Sequence, residues 1–221
     1  MRALVLALVA AMGTPIAAVA ADAQAPVMRI GGDSPFVIGL AALQASSATS
    51  VIISSGTDAG YAAVASSYAH RYSVPLVLLS RDWSEKRLVS AVLAAHAKAV
   101  LIGGPDVVPT QLESDLKGKK LQVVRLAGVD RAATAALIAA RIKPAAGTGA
   151  VVVALGGEPT YVALAAAYAN ARGMPLLAAS STVSSATLNA MSSLQLNGGV
   201  AIGDSSNIAD AVISKLPGVT R

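Results

Sequence analysis

Side chains that could serve as metal ligands or general bases are scarce in this chain. It has two histidines, His70 and His96, and no cysteine. A protein zinc site takes three or four His, Cys or carboxylate ligands, which two isolated histidines do not supply. A hydrolytic triad needs a histidine beside a serine and an acid, and the run Ser54-Ser55-Gly56 lacks the flanking glycine of a nucleophile elbow. We therefore predict no metal ion, no catalytic residue and no enzymatic activity.

Glycines follow several apolar runs, as at Gly103-Gly104-Pro105. The sequence contains neither the G-x-G-x-x-G fingerprint nor a Gly-Lys-Ser/Thr motif, so we predict no nucleotide cofactor. Asp58 and Glu158 do not form a catalytic carboxylate pair, because each is better explained as the acid at the start of a helix. An enzyme acting on sugar phosphates is a remote alternative.

Hydrogen-bond donors recur where apolar runs end. Glycines and hydroxyl side chains stand at 54–57, 80, 103–104, 156–157, 180–182 and 203–205. In open α/β sheets, ligands bind outside the carboxyl ends of the strands, and helix N-termini there attract anions. Arg29, Arg125 and Arg131 add positive charge, although Arg131 is also explained by a salt bridge to a nearby acid. The pattern predicts an anion-binding edge.

The elements that would position these residues are duplicated. The run 51–56 matches 151–156 at an offset of 100 residues, and so do Tyr61 with Tyr161 and Pro75 with Pro175. The run 27–32 matches 123–128 at an offset of 96. One four-residue insertion in the loop 145–149 reconciles the two offsets. We predict two tandem repeats, at 27–120 and 121–218.

Each repeat alternates short β-branched runs with alanine-rich segments of helical spacing. The predicted strands are 27–30, 51–55, 76–80, 98–102, 122–126, 150–155, 176–179 and 199–202. Their apolar residues are continuous, which is typical of strands buried on both faces. The predicted fold class is therefore α/β, with parallel sheets flanked by helices. The predicted helix N-caps are Ser34, Asp58, Ser84, Asp130 and Ser181 or Thr182.

The first residues have the pattern of a secretory signal. Residues 1–20 combine a positive start, an apolar run and Ala18-Val19-Ala20, so we predict a signal peptide at 1–20 and a linker at 21–26. A retained anchor is the alternative. We predict no membrane span after cleavage, because the remaining apolar runs are too short. The 17 basic and 12 acidic residues favour anionic partners, but no Lys/Arg stripe indicates nucleic-acid binding.

Several segments resemble one family. Arg125 to Ala135 resembles the opening signature of the cell-wall-binding repeat type 2 modules, which occur in tandem in Gram-positive surface proteins. The segments Tyr72–Leu79 and Ala171–Leu177 resemble the family's G-x-P-I-L-L-L stretch, and Lys98–Val108 resembles its glycine-turn strand. The resemblance implies Rossmann-like repeats and non-covalent retention on an anionic cell-wall glycopolymer.

The resemblance also implies ligand residues. In that family the P-I-L-L-L stretch has been tied to polymer binding, although a run of aliphatic residues is also explained as a core strand. The candidate ligand-binding residues are Arg29, Pro75, Leu76, Ser80, Arg125, Asp130, Arg131, Pro175, Leu176 and Ser180. The alternative function is an extracytoplasmic assembly protein that binds a protein partner or forms a homo-oligomer.

Overall fold

The computed structural model describes residues 29–221. The predicted signal peptide at 1–20 and linker at 21–26 lie outside these residues, as do the first two residues of the strand predicted at 27–30. Residues 29 and 30 are irregular backbone, so for them the strand prediction is wrong. Within 29–221, no helix is long and apolar enough to cross a bilayer.

Helices and strands alternate in two matching series. The first series is α1 (Pro35–Ala45), β1 (Ser50–Ser55), α2 (Ala59–Tyr72), β2 (Leu76–Leu79), α3 (Glu85–Ala94), β3 (Lys98–Ile102), α4 (Thr110–Gly118) and β4 (Val123–Leu126). The second is α5 (Arg131–Ile142), β5 (Ala150–Val153), α6 (Pro159–Arg172), β6 (Leu176–Ala178), α7 (Ser185–Ser193), β7 (Gly199–Ile202), α8 (Asp210–Ile213) and β8 (Val219–Thr220).

Each series forms one four-stranded parallel sheet. The strand orders are β2-β1-β3-β4 and β6-β5-β7-β8. The predicted α/β class, with two tandem Rossmann-like units, is confirmed. Because β4 pairs with β3, the first sheet continues past residue 120, where the first repeat was expected to end. Strand β8, which occupies the place of β4 in the second sheet, was not predicted.

Corresponding strands of the two sheets differ in residue number by an offset that is not everywhere the one found by sequence alignment. Leu76 pairs with Ile52, whereas its counterpart Leu176 pairs with Val151. Strand β5 therefore matches β1 at an offset of 99 residues, not 100. The four extra residues predicted for one loop are divided: three precede β5 and one lengthens the turn between β5 and α6. Since a slip of one residue turns each side chain to the other face of a sheet, the offset of 100 would match residues of β1 and β5 that lie on opposite faces.

The predicted N-caps are confirmed in all but one case. Ser34, Asp58, Ser84 and Asp130 each accept a hydrogen bond from the backbone N–H three residues later, as predicted. Helix α7 is capped by Ser184, not by Ser181 or Thr182. Ser184 is the counterpart of Ser84 at the offset of 100, so the repeat itself contained the correct assignment.

Helices α2, α5 and α6 lie between the two sheets and join them. Side chains from both sheets, such as Ile52 and Val151, meet in one central core with residues of these helices. Ala65 and Ala165 are completely buried there, so the alanine-rich faces let helices and strands approach closely. At Gly60 of α2 a Cβ atom would collide with the carbonyl oxygen of Leu155 in the second repeat. The two repeats are therefore packed into one body.

Candidate functional site

The candidate site is an open cleft of about 620 Å³ at the carboxyl ends of β5, β6 and β7. It lies at the point where the strand order of the second sheet reverses, which is the usual ligand position in open α/β sheets. Its polar lining includes Asp130, Arg131, Gly156, Gly157, Ser180, Ser181, Thr182, Ser184, Ser206 and Asn207. Hydroxyl groups, one amide and backbone groups thus dominate the surface.

Two turns shape the floor of this cleft. At Gly157 a Cβ atom would lie 2.7 Å from Oδ1 of Asn207 and 3.1 Å from the carbonyl oxygen of Ala154, so a larger residue would crowd this turn. Asp204 holds the facing turn, because its Oδ1 accepts hydrogen bonds from the hydroxyl of Ser206 at 2.6 Å and from the side-chain amide of Asn207 at 2.8 Å. These bonds, led by that of Ser206, hold the pKa of Asp204 well below its ordinary value. The carboxylate is therefore a structural acceptor.

Arg131 connects this cleft to the first repeat. Its Nε donates to Oδ2 of Asp58 at 2.9 Å, and its Nη2 donates to the same oxygen. The guanidinium lies 5.7 Å from the centre of the Tyr61 ring. Burial raises the pKa of Asp58, but the hydrogen bonds from Arg131 and the Tyr61 amide outweigh it and hold this pKa below its ordinary value. The side chain of Arg131 is still 47 % exposed.

Arg125 is held inside the fold. Its Nε donates to Glu113 at 2.7 Å and its Nη1 donates to the carbonyl of Gly103 at 2.8 Å, while the side chain is only 16 % exposed. Its Nη2 is buried without a hydrogen-bond partner among the described residues. The prediction that Arg125 offers charge to a ligand is therefore corrected, because its donors point into the β3–α4 turn.

Sequence reasoning missed Arg221, which plays the same part in the second repeat. Its Nη1 donates to the carbonyl of Gly203, and its Nη2 lies 2.7 Å from Asp210. The signal was present, since Val219 and Arg221 stand 96 residues after Val123 and Arg125. An arginine within or directly after the last strand of each sheet thus fastens the preceding glycine turn.

The proline and leucine candidates are not surface residues of the cleft. Leu176 is 3 % exposed and Leu76 packs on the same central core, as the alternative core explanation predicted. Both stand at the amino ends of their strands, opposite the cleft. Ser80 is buried and donates to Asp82 at 2.6 Å. Arg29 is exposed on irregular backbone. Of the ten candidates, only Asp130, Arg131 and Ser180 line this cleft together.

The histidines lie far from these hydroxyl groups along the strand direction. His70 stands in the last turn of α2 and His96 follows α3, so both are at the edge where strands begin. Across residues 29–221 no group of three His, Asp or Glu side chains is arranged to hold a metal ion. The serine side chains of the cleft are at the edge where strands end.

Residues 125–213, from β4 into α8, match the family model of cell wall binding domain 2, abbreviated CWB2. This part of the chain is similar to CWB2 domains. The predicted family is therefore confirmed, and the first repeat has the same strand order although the match does not extend over it. A CWB2 domain indicates a cell wall binding module and a location at the cell wall or cell surface.

The proteins that this chain is similar to are larger. It is 26% identical over 199 residues to the N-acetylmuramoyl-L-alanine amidase LytC of Bacillus subtilis (strain 168), covering 88% of this chain and 40% of that protein. Cwp6 and Cwp8 from Clostridium difficile have the same fold, with TM-scores of 0.74 and 0.65 at 22% and 23% identity. Each alignment covers 86% of this chain, and 31% and 33% of those chains. The chain thus spans less than half the length of each relative.

Proposed function

We propose that the protein is a non-catalytic module that is retained outside the cell membrane by non-covalent binding to an anionic cell-wall glycopolymer. The observation that carries the proposal is the CWB2 match of residues 125–213. The geometry is consistent with binding and not with hydrolysis, because the two histidines and the serines of the cleft occupy opposite edges of the sheets.

The cleft of the second sheet is suited to the sugar units of such a polymer. Ser180, Ser181 and Thr182 offer hydroxyl groups that both donate and accept hydrogen bonds, as sugar hydroxyls require. Asp130 and Arg131 line the same cleft. We therefore assign the sugar rings of the polymer, not its charged groups, to this cleft.

A wall-retention assay tests both parts of the proposal. Isolated cell walls should retain the protein and release it at high salt, because salt screens the attraction between exposed charges. Filling the cleft with Ser181→Trp should weaken retention by about tenfold. Ser193→Trp is the matched control, since Ser193 is an exposed serine at the opposite edge, in the last turn of α7. Equal retention of the two variants would exclude the cleft, and no retention of the wild type would exclude the function.

An assembly protein is the second candidate, and one observation favours it. Val64 of α2 packs in the core between the repeats and is 2 % exposed. Its counterpart on α6, Leu164, is 56 % exposed. The face that joins the repeats is thus open on the second copy. A concentration-independent oligomer without affinity for walls would favour assembly over polymer binding.

A further inference from the structure

Charge is divided between the two edges of the sheets. Because each helix runs antiparallel to the strands it covers, helix starts share an edge with strand ends, and helix ends share the other edge. The edge of helix starts carries most of the acids, which are Asp58, Asp82, Glu85, Asp106, Glu113, Asp130, Glu158, Asp204 and Asp210. The edge of helix ends carries His70, Arg71, His96, Lys98, Lys117, Lys119, Lys120, Arg141, Lys143, Arg172 and Lys215. The positive edge is therefore opposite to the one that the sequence predicted for anions.

The basic edge contains a groove between the repeats. The C-terminal ends of α2, α5 and α6 converge around a cavity of about 430 Å³, lined by His70, Arg71, Lys143, Asn170 and Met174 among others. We call this cavity the basic groove. Its cations come from both repeats, with Arg71 on α2 and Lys143 at the end of α5.

The cations of the basic groove are only partly engaged by the protein. Nε of Arg71 donates to the carbonyl of Ile142 at 2.9 Å, which ties α2 to α5. Among residues 29–221, no side chain forms an ion pair with Arg71 or Lys143. Asn170, the counterpart of His70, donates to the hydroxyl of Ser66 at 3.4 Å and so closes one wall.

The partial negative charge of the helix C-termini is too small to balance all of these cations. A helix C-terminus carries roughly half a negative charge, so the three ends together offset fewer than two cations. Arg71, Arg141 and Arg172 stand in or at the last turns of α2, α5 and α6, and Lys143 follows α5. An excess of positive charge thus lies at this edge of the molecule, and two of its cations, Arg71 and Lys143, line the basic groove.

Several residues at this edge have a left-handed backbone conformation. The non-glycine residues with positive φ in the described chain are Ser73, His96, Lys120, Lys143 and Gln195, and each follows a helix. Glycine adopts this conformation with least strain, and Gly173 occupies the corresponding place after α6. Lys143, with φ of 50°, is therefore a cation at a position where glycine is the better backbone residue.

We propose that the basic groove binds the anionic groups of the wall polymer, while sugar units occupy the carboxyl-edge cleft. This assignment rests on the proposed function only for the identity of the polymer. Arg71 supplies fixed donors, since Nε is already bonded, and Lys143 supplies a mobile ammonium group. Paired cations in a concave site attract a chain of phosphate or carboxylate groups through a potential that salt reduces.

Lys143→Gly tests the basic groove without threatening the fold, because glycine suits the positive φ. Binding is measured with two labelled probes, inorganic polyphosphate and poly-L-glutamate, and with isolated walls, over a range of salt concentrations. We expect the variant to bind its preferred polyanion about fivefold more weakly and to show a salt slope shallower by about one, as for the loss of one phosphate contact. Its thermal midpoint should equal or exceed that of the wild type.

Two control variants make the test specific. Ser73→Gly relieves the same backbone conformation after α2 without removing charge, and should bind as the wild type does. Lys120→Gly removes a cation of the same edge outside the basic groove, and should change affinity less than twofold. Equal losses in the two lysine variants would overturn the groove in favour of diffuse attraction, and unchanged binding of Lys143→Gly would overturn it outright.

The outcomes for the groove and for the proposed function are separable. If walls do not retain the wild type but a polyanion binds and Lys143→Gly weakens that binding, the groove stands and the wall function fails. If walls retain the wild type and Lys143→Gly equally, the wall function stands and the groove is wrong. If neither walls nor polyanions bind, both are wrong.

Discussion

At the scale of single residues, Arg131 and Asp58 have one joint role. A cation in the first turn of a helix is slightly unfavourable, because the helix N-terminus is positive. Arg131 occupies this position at the start of α5 because Asp58 of the first repeat pairs with it across the interface. Asp58 also caps α2 through a bond from the Tyr61 amide. The pair thus aligns the starts of two helices from different repeats.

The lowered pKa of Asp58 predicts how stability depends on pH. A carboxyl whose pKa is lower in the folded than in the unfolded protein stabilises the fold above its unfolded pKa of about 3.9, and this contribution is lost as the pH falls through the folded pKa. Asp58→Asn retains the cap but removes the charge. We expect it to lower the free energy of unfolding by about 1 kcal/mol at pH 7, because the pair is partly exposed.

Urea denaturation of wild type and Asp58→Asn at pH 7 and near pH 3 measures this effect. The difference between them should shrink at the lower pH, since the wild-type carboxyl is then increasingly protonated. Asp130→Asn is the matched control, because Asp130 also caps a helix but has no ion pair within residues 29–221. A difference that stays constant between the two pH values would show that the charge of Asp58 is not responsible.

At the scale of elements, the sequence predicted most strands and helix N-caps, but it did not predict the register of the strands. Continuous apolar runs located strands such as β1 and β3, and the N-caps Ser34, Asp58 and Asp130 follow from side-chain oxygens that bond to backbone N–H groups. Strand β8 was missed because two residues give no periodic signal. The alignment of β5 with β1 was wrong by one residue because its short apolar residues fit two alignments equally well, and only pairing with β6 and β7 decides between them.

The contact between α2 and the second repeat predicts a severe effect for a small substitution. Gly60→Ala would normally favour a helix, but the new Cβ would collide with the carbonyl of Leu155. Overpacking of this kind costs about 1–3 kcal/mol, so we expect the free energy of unfolding to fall by about 2 kcal/mol. Gly118→Ala is the control, since a Cβ there meets nothing within 4 Å. Denaturant titrations that found both variants neutral would contradict the close approach of the repeats.

At the scale of the whole molecule, the candidate site was predictable only in part. The sequence pointed to strand ends, and the cleft with Asp130, Arg131 and Ser180 lies there. The sequence did not predict the basic groove, because net charge and runs of lysine do not show at which edge of the fold a side chain lies. His70, Arg71 and Lys143 are separated along the sequence, and they meet only because α2 and α5 end at the same edge of two packed units.

The shared central core predicts that both repeats unfold together. Ile52 and Leu126 from the first sheet and Val151 from the second belong to one buried cluster, so neither repeat can open without exposing apolar surface of the other. The sequence has a single tryptophan, Trp83, which lies in the first repeat. Its fluorescence therefore reports that repeat alone, whereas far-ultraviolet circular dichroism reports both. We expect the two denaturation curves to coincide, because a separate midpoint for Trp83 would mean that each repeat is stable without the other.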